Sequence, residues 1–371
     1  MKEPKIRFKG FRGEWEEKAL GCCVAFWDSM RQPIEEVKRI KGIYPYYGAS
    51  GVVDYINDYI FDEELILLSE DGANITDRNY PVCFIARGKY WVNNHAHVLK
   101  ANKGFDNVFL CNNLERKDYT QYNTGMAMPK LNKEVCIRIP VLYPTLPEQQ
   151  SIASYFQHLA SLIQSTTKKI ESLKQAKAAS LQSMFPQEGE TTPRVRFKGF
   201  EGEWEETTIG KVTSVKRGVR VTRKNLRDHG LYPVYQNTDY PMGYYNRYNV
   251  ESNNPFVIIG GSAGLIGFCD KDFWAADDCA YFSDSVKLDK SYLYSMLLNK
   301  SSEIKKNVRG SSVPRLDRQV INDLNIILPS ITEQRAIASY FTNLDRQITL
   351  QTQRLEKLKQ IKSACLDKMF V

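Results

Sequence analysis

The sequence predicts a mixed α/β protein in which one large module is written twice, each copy closing on a long amphipathic helix. Three observations predict it. RFKGFRGEWEE (residues 7–17) returns as RFKGFEGEWEE (196–206) with one letter changed. EQQSIASYF (148–156) and LKQAKAASLQSMF (173–185) return as EQRAIASYF (333–341) and LKQIKSACLDKMF (358–370). Between these constant ends lie two mixed strand-and-helix stretches with few letters in common. The offset is 185 or 189 residues, far longer than a solenoid repeat, so a whole module is duplicated.

The opening phrase comes first in each module. Phe8, Phe11 and Trp15 sit among charges of both signs, with Gly10 and Gly13 as turn formers. It reads as a strand–turn–strand edge that packs its aromatics on the domain, against the alternative of a binding element. Scaffold is favoured because an identical site would give both halves the same ligand.

The variable stretches follow. YIFDEELILLSEDG (59–72) and FVIIGGSAG (256–264) predict buried strands ended by turns. KSYLYSMLLNKSSEIKKNV (290–308) predicts a helix with Leu293, Met296, Leu297 and Ile304 on one side. Then GMAMPKLN (125–132) returns as GSSVPRLD (310–317), and a Pro-bounded entry leads into the closing helix. PQEGETTP (186–193) is polar and rich in helix breakers, and predicts the linker. The predicted boundaries are residues 1–145, 146–186, 187–330 and 331–371: globular, helical, globular, helical.

The closing helices carry matching seams. Ile152, Phe156, Leu159, Ile163, Thr166, Ile170 and Leu173 alternate steps of four and three. Ile337, Phe341, Leu344, Ile348, Gln351, Leu355 and Leu358 do the same. Such spacing draws one apolar line along each helix and predicts a coiled coil, with Thr166 and Gln351 as polar register positions. Two separate amphipathic helices, each packed on its own domain, are the alternative.

Composition narrows the function classes. Lys and Arg outnumber Asp and Glu by 51 to 43, which permits an anionic partner without demanding one. The start MKEPKIRFKG lacks the marks of a secretory signal, and no apolar run reaches membrane-spanning length. Eight cysteines without paired spacing predict reduced thiols and a cytoplasmic location, with no membrane partner.

No catalytic arrangement emerges. His95 and His97, two apart, would share one face of a strand, but no third ligand declares a metal site, so both are expected in core or turns. GGSAGLIG (260–267) lacks the spacing of a dinucleotide turn, and no phosphate loop occurs. NNPF (253–256) has only part of an amino-methyltransferase loop. The expectation is a binder with no catalytic residue, metal or cofactor of its own.

Basic and aromatic stretches point to the ligand. SVKRGVRVTRKNLRDHG (214–230) clusters Arg217, Arg220, Arg223 and Lys224. The next stretch, 232–249, supplies Gln236, Asn237, Tyr244, Tyr245 and Arg247. In the first module the corresponding candidates are Arg39, Lys41, Tyr46, Tyr47, Arg78 and Asn79. Cations suit phosphates; Arg pairs with guanine edges, and Asn or Gln with adenine. A solvated charged loop is the alternative reading.

The doubled RFKGF-x-GEW start, the G-x-x-x-P-[KR]-L motif and the helix entries LPEQQSIASYF and SITEQRAIASYF resemble the specificity subunit of type I restriction–modification systems. The resemblance covers essentially the whole chain. It implies two target-recognition domains joined by two antiparallel helical regions with pseudo-twofold symmetry. Each domain would read one half of a split target on double-stranded DNA. The helices would set the spacing and dock two methyltransferase subunits, with restriction subunits joining through the complex. S-adenosylmethionine would then belong to the partner methyltransferase. Two other readings stand beside it: a self-contained DNA methyltransferase or nuclease, and a coiled-coil scaffold that never touches DNA.

Overall fold

The computed structural model describes residues 2–187 and 189–371. Glu188, within the expected linker, lies outside them. The chain forms two compact units. One runs to Thr167 and takes in Gln353–Val371; the other is Lys168–Thr352. The boundaries thus fall inside the long helices, Leu146–Ser183 and Ile331–Met369, instead of at their starts.

The first unit contains β1 (Glu16–Ala19), β2 (Val24–Phe26), β3 (Lys41–Gly48), β4 (Gly51–Ile56) and β5 (Phe61–Asp62). After these come β6 (Leu65–Ser69), β7 (Cys83–Ala86), β8 (Lys89–Val92), β9 (Ala96–Ala101) and β10 (Pro140–Tyr143). They form a sheet in the order β2-β9-β6-β7, a second in the order β4-β3-β8-β5, and the pair β1-β10. β6 is an unbroken apolar run, LILL, and is wholly buried, as expected of a central strand covered on both faces.

The second unit repeats this plan with one strand fewer, since its counterpart of the β4-β3-β8-β5 sheet has three strands. Its strands are β11 (Glu205–Thr208), β12 (Val215–Arg217), β13 (Tyr232–Tyr235), β14 (Tyr244–Tyr245) and β15 (Asn254–Ile258). β16 (Ile266–Cys269), β17 (Trp274–Ala275), β18 (Cys279–Phe282) and β19 (Asn325–Leu328) complete it. The sheets are β12-β18-β15-β16, β14-β13-β17 and β11-β19. β3 pairs in parallel with β8, Tyr46 opposite Trp91; β13 pairs in parallel with β17, Val234 opposite Trp274. The duplication therefore runs through the middles, where the letters had diverged. Inward positions need only be apolar and of suitable bulk, so they drift without changing the fold.

The opening phrase is scaffold, though not a strand–turn–strand. Only its second arm is a strand, β1, which pairs with β10. Ahead of it the chain is held by a side chain instead of a ladder. Arg7 Nη1 and Nη2 donate to the carbonyls of Gly13 and Arg12 at 2.6 and 3.1 Å. This curls residues 7–13 into a loop in which Gly10 and Gly13 take positive φ. Trp15 is then buried in the core.

In each unit the start of one long helix packs beside the end of the other. In the first unit Phe370 stacks on Phe109 at 5.3 Å and lies 5.8 Å from Phe156 and 6.2 Å from Trp15. In the second, Phe185 lies 6.0 Å from Phe341 and 5.6 Å from Tyr292. Tyr155 Oη sits 3.4 Å from Cys365 Sγ, and at the repeat-related positions Tyr340 Oη sits 2.9 Å from Ser180 Oγ. Lys177 adds an ion pair to Asp345 at 2.6 Å.

The seam residues turn inward. Ile152, Phe156, Leu159, Ile170, Ile337, Phe341 and Leu344 are buried; Ile163, Leu173, Ile348, Leu355 and Leu358 are half-buried. Thr166 is buried too, but its hydroxyl donates to the Leu162 carbonyl of its own helix at 2.7 Å. It needs no cross-helix partner. Gln351 is half-buried.

Candidate nucleic-acid interface

The second unit carries an open concavity of about 680 Å³ between the segment after β12 and the segment after β13. Four of the sequence-predicted residues line it: Arg220, Arg223, Gln236 and Asn237. Two tethers fix its rim. Trp274 Nε1 donates to the Val219 carbonyl at 2.8 Å, and Ala276 N to the Tyr235 carbonyl at 2.8 Å. Val221 tucks its side chain inward beside Val234, while Arg220 and Arg223 are exposed.

Those arginines lack internal counter-charges. Among the described residues, Arg220, Arg223 and Arg227 make no ion pair and no side-chain hydrogen bond, and all three are exposed. Asp228 is the one acid on the lining. Solvated, unpaired guanidiniums beside two free amides form a surface that offers donors to phosphate and to base edges. Arg227 and Tyr240 were not singled out from the sequence; Arg227 lies in the same basic cluster and that signal would have found it.

The remaining second-unit candidates lie off this concavity. Arg217 spends its Nε on the Asp277 carbonyl at 2.6 Å. Lys224 and Arg247 are exposed outside the lining. Tyr244 holds Arg227 through a two-way backbone bridge. Tyr245 sets its ring edge-on to Trp274 at 5.0 Å. A larger concavity in this unit, about 850 Å³, sets Glu190, Glu206 and Glu303 against Lys211, Lys300 and Lys306, so it does not select a polyanion.

The first-unit candidates fare differently. Tyr46 is buried, and its hydroxyl bonds the Ile34 backbone; it is a core residue, not a DNA contact. Tyr47 packs between Phe84 and Tyr90. Arg39 lies over the Tyr46 ring at 4.5 Å and pairs with Asp54 at 3.5 Å. Arg78 is bound to Glu115 through both its carboxylate and its carbonyl. Only Lys41 and Asn79 are exposed without such an engagement among the described residues. Aromatic residues in a strand cannot be sorted into inner and outer faces by type alone, and a cation does not announce its own acid.

The two histidines do not share a face. His95 lies in the turn before β9, half exposed, beside Asp71 at 2.9 Å. His97, inside β9, is buried, with Nδ1 2.7 Å from Asp28 and Nε2 2.7 Å from the Leu131 carbonyl. Both ring nitrogens face acceptors, which requires the doubly protonated ring. Burial alone would lower its pKa; hydrogen bonds to Asp28 and Cys136 and their charges outweigh this and raise it to about 10. No cluster of His, Cys, Asp or Glu suited to a metal ion occurs among the described residues.

Two units built on one plan, one of them with a basic, amide-bearing concavity, make this chain a duplicated two-unit protein. The family profile for the type I restriction modification DNA specificity domain matches residues 13–175 and again residues 201–360. The chain belongs to that family. It is 21% identical over 395 residues to the type I restriction enzyme MjaVIII specificity subunit of Methanocaldococcus jannaschii, covering 95% of this chain and 91% of that one. A Haemophilus influenzae relative is 32% identical over 154 residues, an alignment that spans 42% of this chain and 39% of that protein. The fold is similar to the crystal structure of a type I restriction–modification S subunit from M. genitalium: TM-score 0.80, 15% identity, covering 100% of this chain and 99% of that one. No helix among the described residues is long and apolar enough to cross a membrane.

Proposed function

We propose that this chain directs a type I methyltransferase complex to a bipartite, asymmetric target on double-stranded DNA, with each unit reading one half. The observation that carries the reading is the difference between the units. They share one topology, yet the second presents unpaired arginines with Gln236 and Asn237 where the first presents other chemistry. Equal frames with unlike surfaces suit two unlike half-sites, whereas a homodimeric reader would require a palindrome.

In this reading the long helices act as an antiparallel coiled coil that sets the gap between half-sites. The tyrosine contacts, Tyr155 to Cys365 and Tyr340 to Ser180, support it because they place both helix pairings in one register, 185 residues apart. The helices would also dock two methyltransferase subunits, with restriction subunits joining through the complex. S-adenosylmethionine would be bound by the methyltransferase, and this chain would supply no catalytic group.

The test is methylome mapping in cells that express this chain with its methyltransferase subunit. The expected result is adenine methylation at a split motif with two unlike halves and a fixed gap. A palindromic motif, or methylation without sequence preference, overturns the reading.

A further inference from the structure

The G-x-x-x-P-[KR]-L phrase recurs within the otherwise divergent middles, and in both units it forms the same hairpin against the same neighbour. Gly72 N donates to the Pro129 carbonyl at 3.0 Å as Gly261 N does to that of Pro314 at 3.1 Å. Leu131 N donates to the Glu70 carbonyl as Leu316 N does to that of Ile259. Thr124 N donates to the Lys130 carbonyl as Arg309 N does to that of Arg315. Glu70 N donates to the His95 carbonyl as Ile259 N does to that of Asp278. Thr124 therefore stands where Arg309 stands, Lys130 where Arg315 stands, and His95 where Asp278 stands. Glu70 and Asp71 hold the places of Ile259 and Gly260.

On this shared frame the charge is inverted. In the first unit two acids answer the cations: Lys130 Nζ lies 3.6 Å from Glu70, and Asp71 meets His95 at 2.9 Å. In the second, Ile259 and Gly260 supply no acid, and two arginines stand where there was one lysine. Arg309 and Arg315 exchange both backbone bonds, at 2.8 and 2.7 Å, so they lie directly opposite and their side chains leave the hairpin on one face. Like charges so placed repel. Asp278 engages Arg315 at 3.0 Å, and Asp317, the next acid along the chain, accepts from Gln319 N at 2.9 Å. Arg309 is exposed and, among the described residues, makes no ion pair and no side-chain hydrogen bond. Lys305 is exposed and equally unpaired among them. Its stem lies against Gly264, where a Cβ would sit 3.2 Å from Lys305 Cγ.

The hairpin is joined to the concavity by a short series of contacts. Ser262 N donates to the Asn237 carbonyl at 3.2 Å. Gly261, at φ +81°, approaches so closely that a Cβ on it would lie 2.8 Å from Asn237 Cβ. Asn237 lines the concavity, and the Gly261 amide is the one bonded to Pro314. Exposed, unpaired cations thus occur at both ends of one bonded series: Arg220 and Arg223 at the concavity, Arg309 and Lys305 at the hairpin.

We propose that Arg309 and Lys305 are a second phosphate-binding element of the second unit, holding the sugar-phosphate backbone of the duplex whose bases face the concavity. The inference rests on the DNA-reading function proposed above. The occupant is a polyanion because an arginine pair with one acid between them keeps a surplus charge that a phosphate relieves. It is the DNA backbone because these cations continue those of the concavity. Arg315, tied to Asp278, positions the hairpin. The first unit has no such element, since Thr124, Glu70 and Asp71 occupy the matching places.

The experiment uses the full chain assembled with its methyltransferase subunits, with one duplex carrying the mapped target and one scrambled, titrated at several salt concentrations. Arg309→Gln and Lys305→Gln are each expected to weaken binding to both duplexes and to lower the slope of log affinity against log salt by about 1. Arg309→Lys is expected to keep the slope. An unchanged slope in either glutamine variant overturns the inference. So does a preference relaxed at one base pair with the slope kept, or a change confined to subunit assembly. If the unaltered complex binds its target no better than scrambled DNA, the DNA-reading function itself fails; preference for the target with a slope indifferent to Arg309 sinks only this inference.

Discussion

Arg7 and Glu148, 141 residues apart, form a two-point ion pair: Nε to Oε1 at 2.7 Å and Nη2 to Oε2 at 2.8 Å. Arg196 and Glu333 repeat it at 2.7 and 2.8 Å. Each pair ties the opening phrase of a module to the first turn of its closing helix. The neighbouring glutamine is spent as well. Gln149 accepts from Asp106 N and donates to the Pro144 carbonyl; Gln334 accepts from Asp289 N and donates to the Pro329 carbonyl. An eleven-letter phrase repeated with one change and a distant E-Q pair thus make one joint.

Glu148 is buried, so removing its partner leaves a charge without compensation. Arg7→Ala is expected to destabilise the first unit by about 3 kcal/mol and leave the second unit's protection unchanged. Arg196→Ala reverses the pattern. Hydrogen exchange resolved by unit checks both. Equal loss in both units would show that the joint is not local.

Phe370 closes the first core, against Trp15, Phe109 and Phe156. Phe370→Ala is expected to cost about 3–5 kcal/mol, the range for emptying an aromatic site in a core. The loss falls on residues 2–167, although the substitution is at the far end of the chain. Phe185→Ala is the counterpart for the second unit. Urea unfolding followed by exchange at Trp15 and Trp204 separates the two.

Arg220, Arg223 and Arg227 are the exposed cations of the concavity. Replacing Arg223 by Ala is expected to weaken binding and, for a phosphate contact, to lower the slope of log affinity against log salt by about 1. For a base contact the slope stays and preference relaxes at one base pair of the second half-site. Titrations at several salt concentrations decide between the two roles. An unchanged affinity would remove the concavity from the interface.

His97 makes the stability of the first unit sensitive to alkaline pH. Its pKa is raised in the folded chain to about 10, from an ordinary value of 6.5. A raised value means stability fully present below about pH 6.5 and lost as pH climbs towards 10. Asp28 works in the other direction: burial opposes its charge, but the His97 hydrogen bond and charge hold it below its ordinary range, so its contribution fades in acid. Glu70 and Arg31 face the same cluster. Unfolding followed from pH 6 to 10 is expected to show this slope, and His97→Gln to flatten it.

Inserting one heptad into each long helix tests the spacing role. The preferred gap between half-sites is expected to shift while both half-sites stay the same. Methylation mapping reads the change, and altered half-sites would contradict the division of labour.

The sequence by itself determined the duplication, the two long helices and their inward seams. These are carried by letters that recur along the chain: the opening phrase, the heptad steps, and the aromatic that ends each closing repeat. It also located the basic cluster of the second unit, because a run of arginines needs no partner to be seen. Only the tertiary structure decided that the topology repeats through the divergent middles, and that each helix ends in the core of the other module. It also decided that Tyr46 lies inside while Val53 and Tyr55 lie outside. The physical reason is that which face of a strand is buried, and which acid meets which cation, depends on contacts between distant segments, and those are set by folding rather than by spacing along the chain.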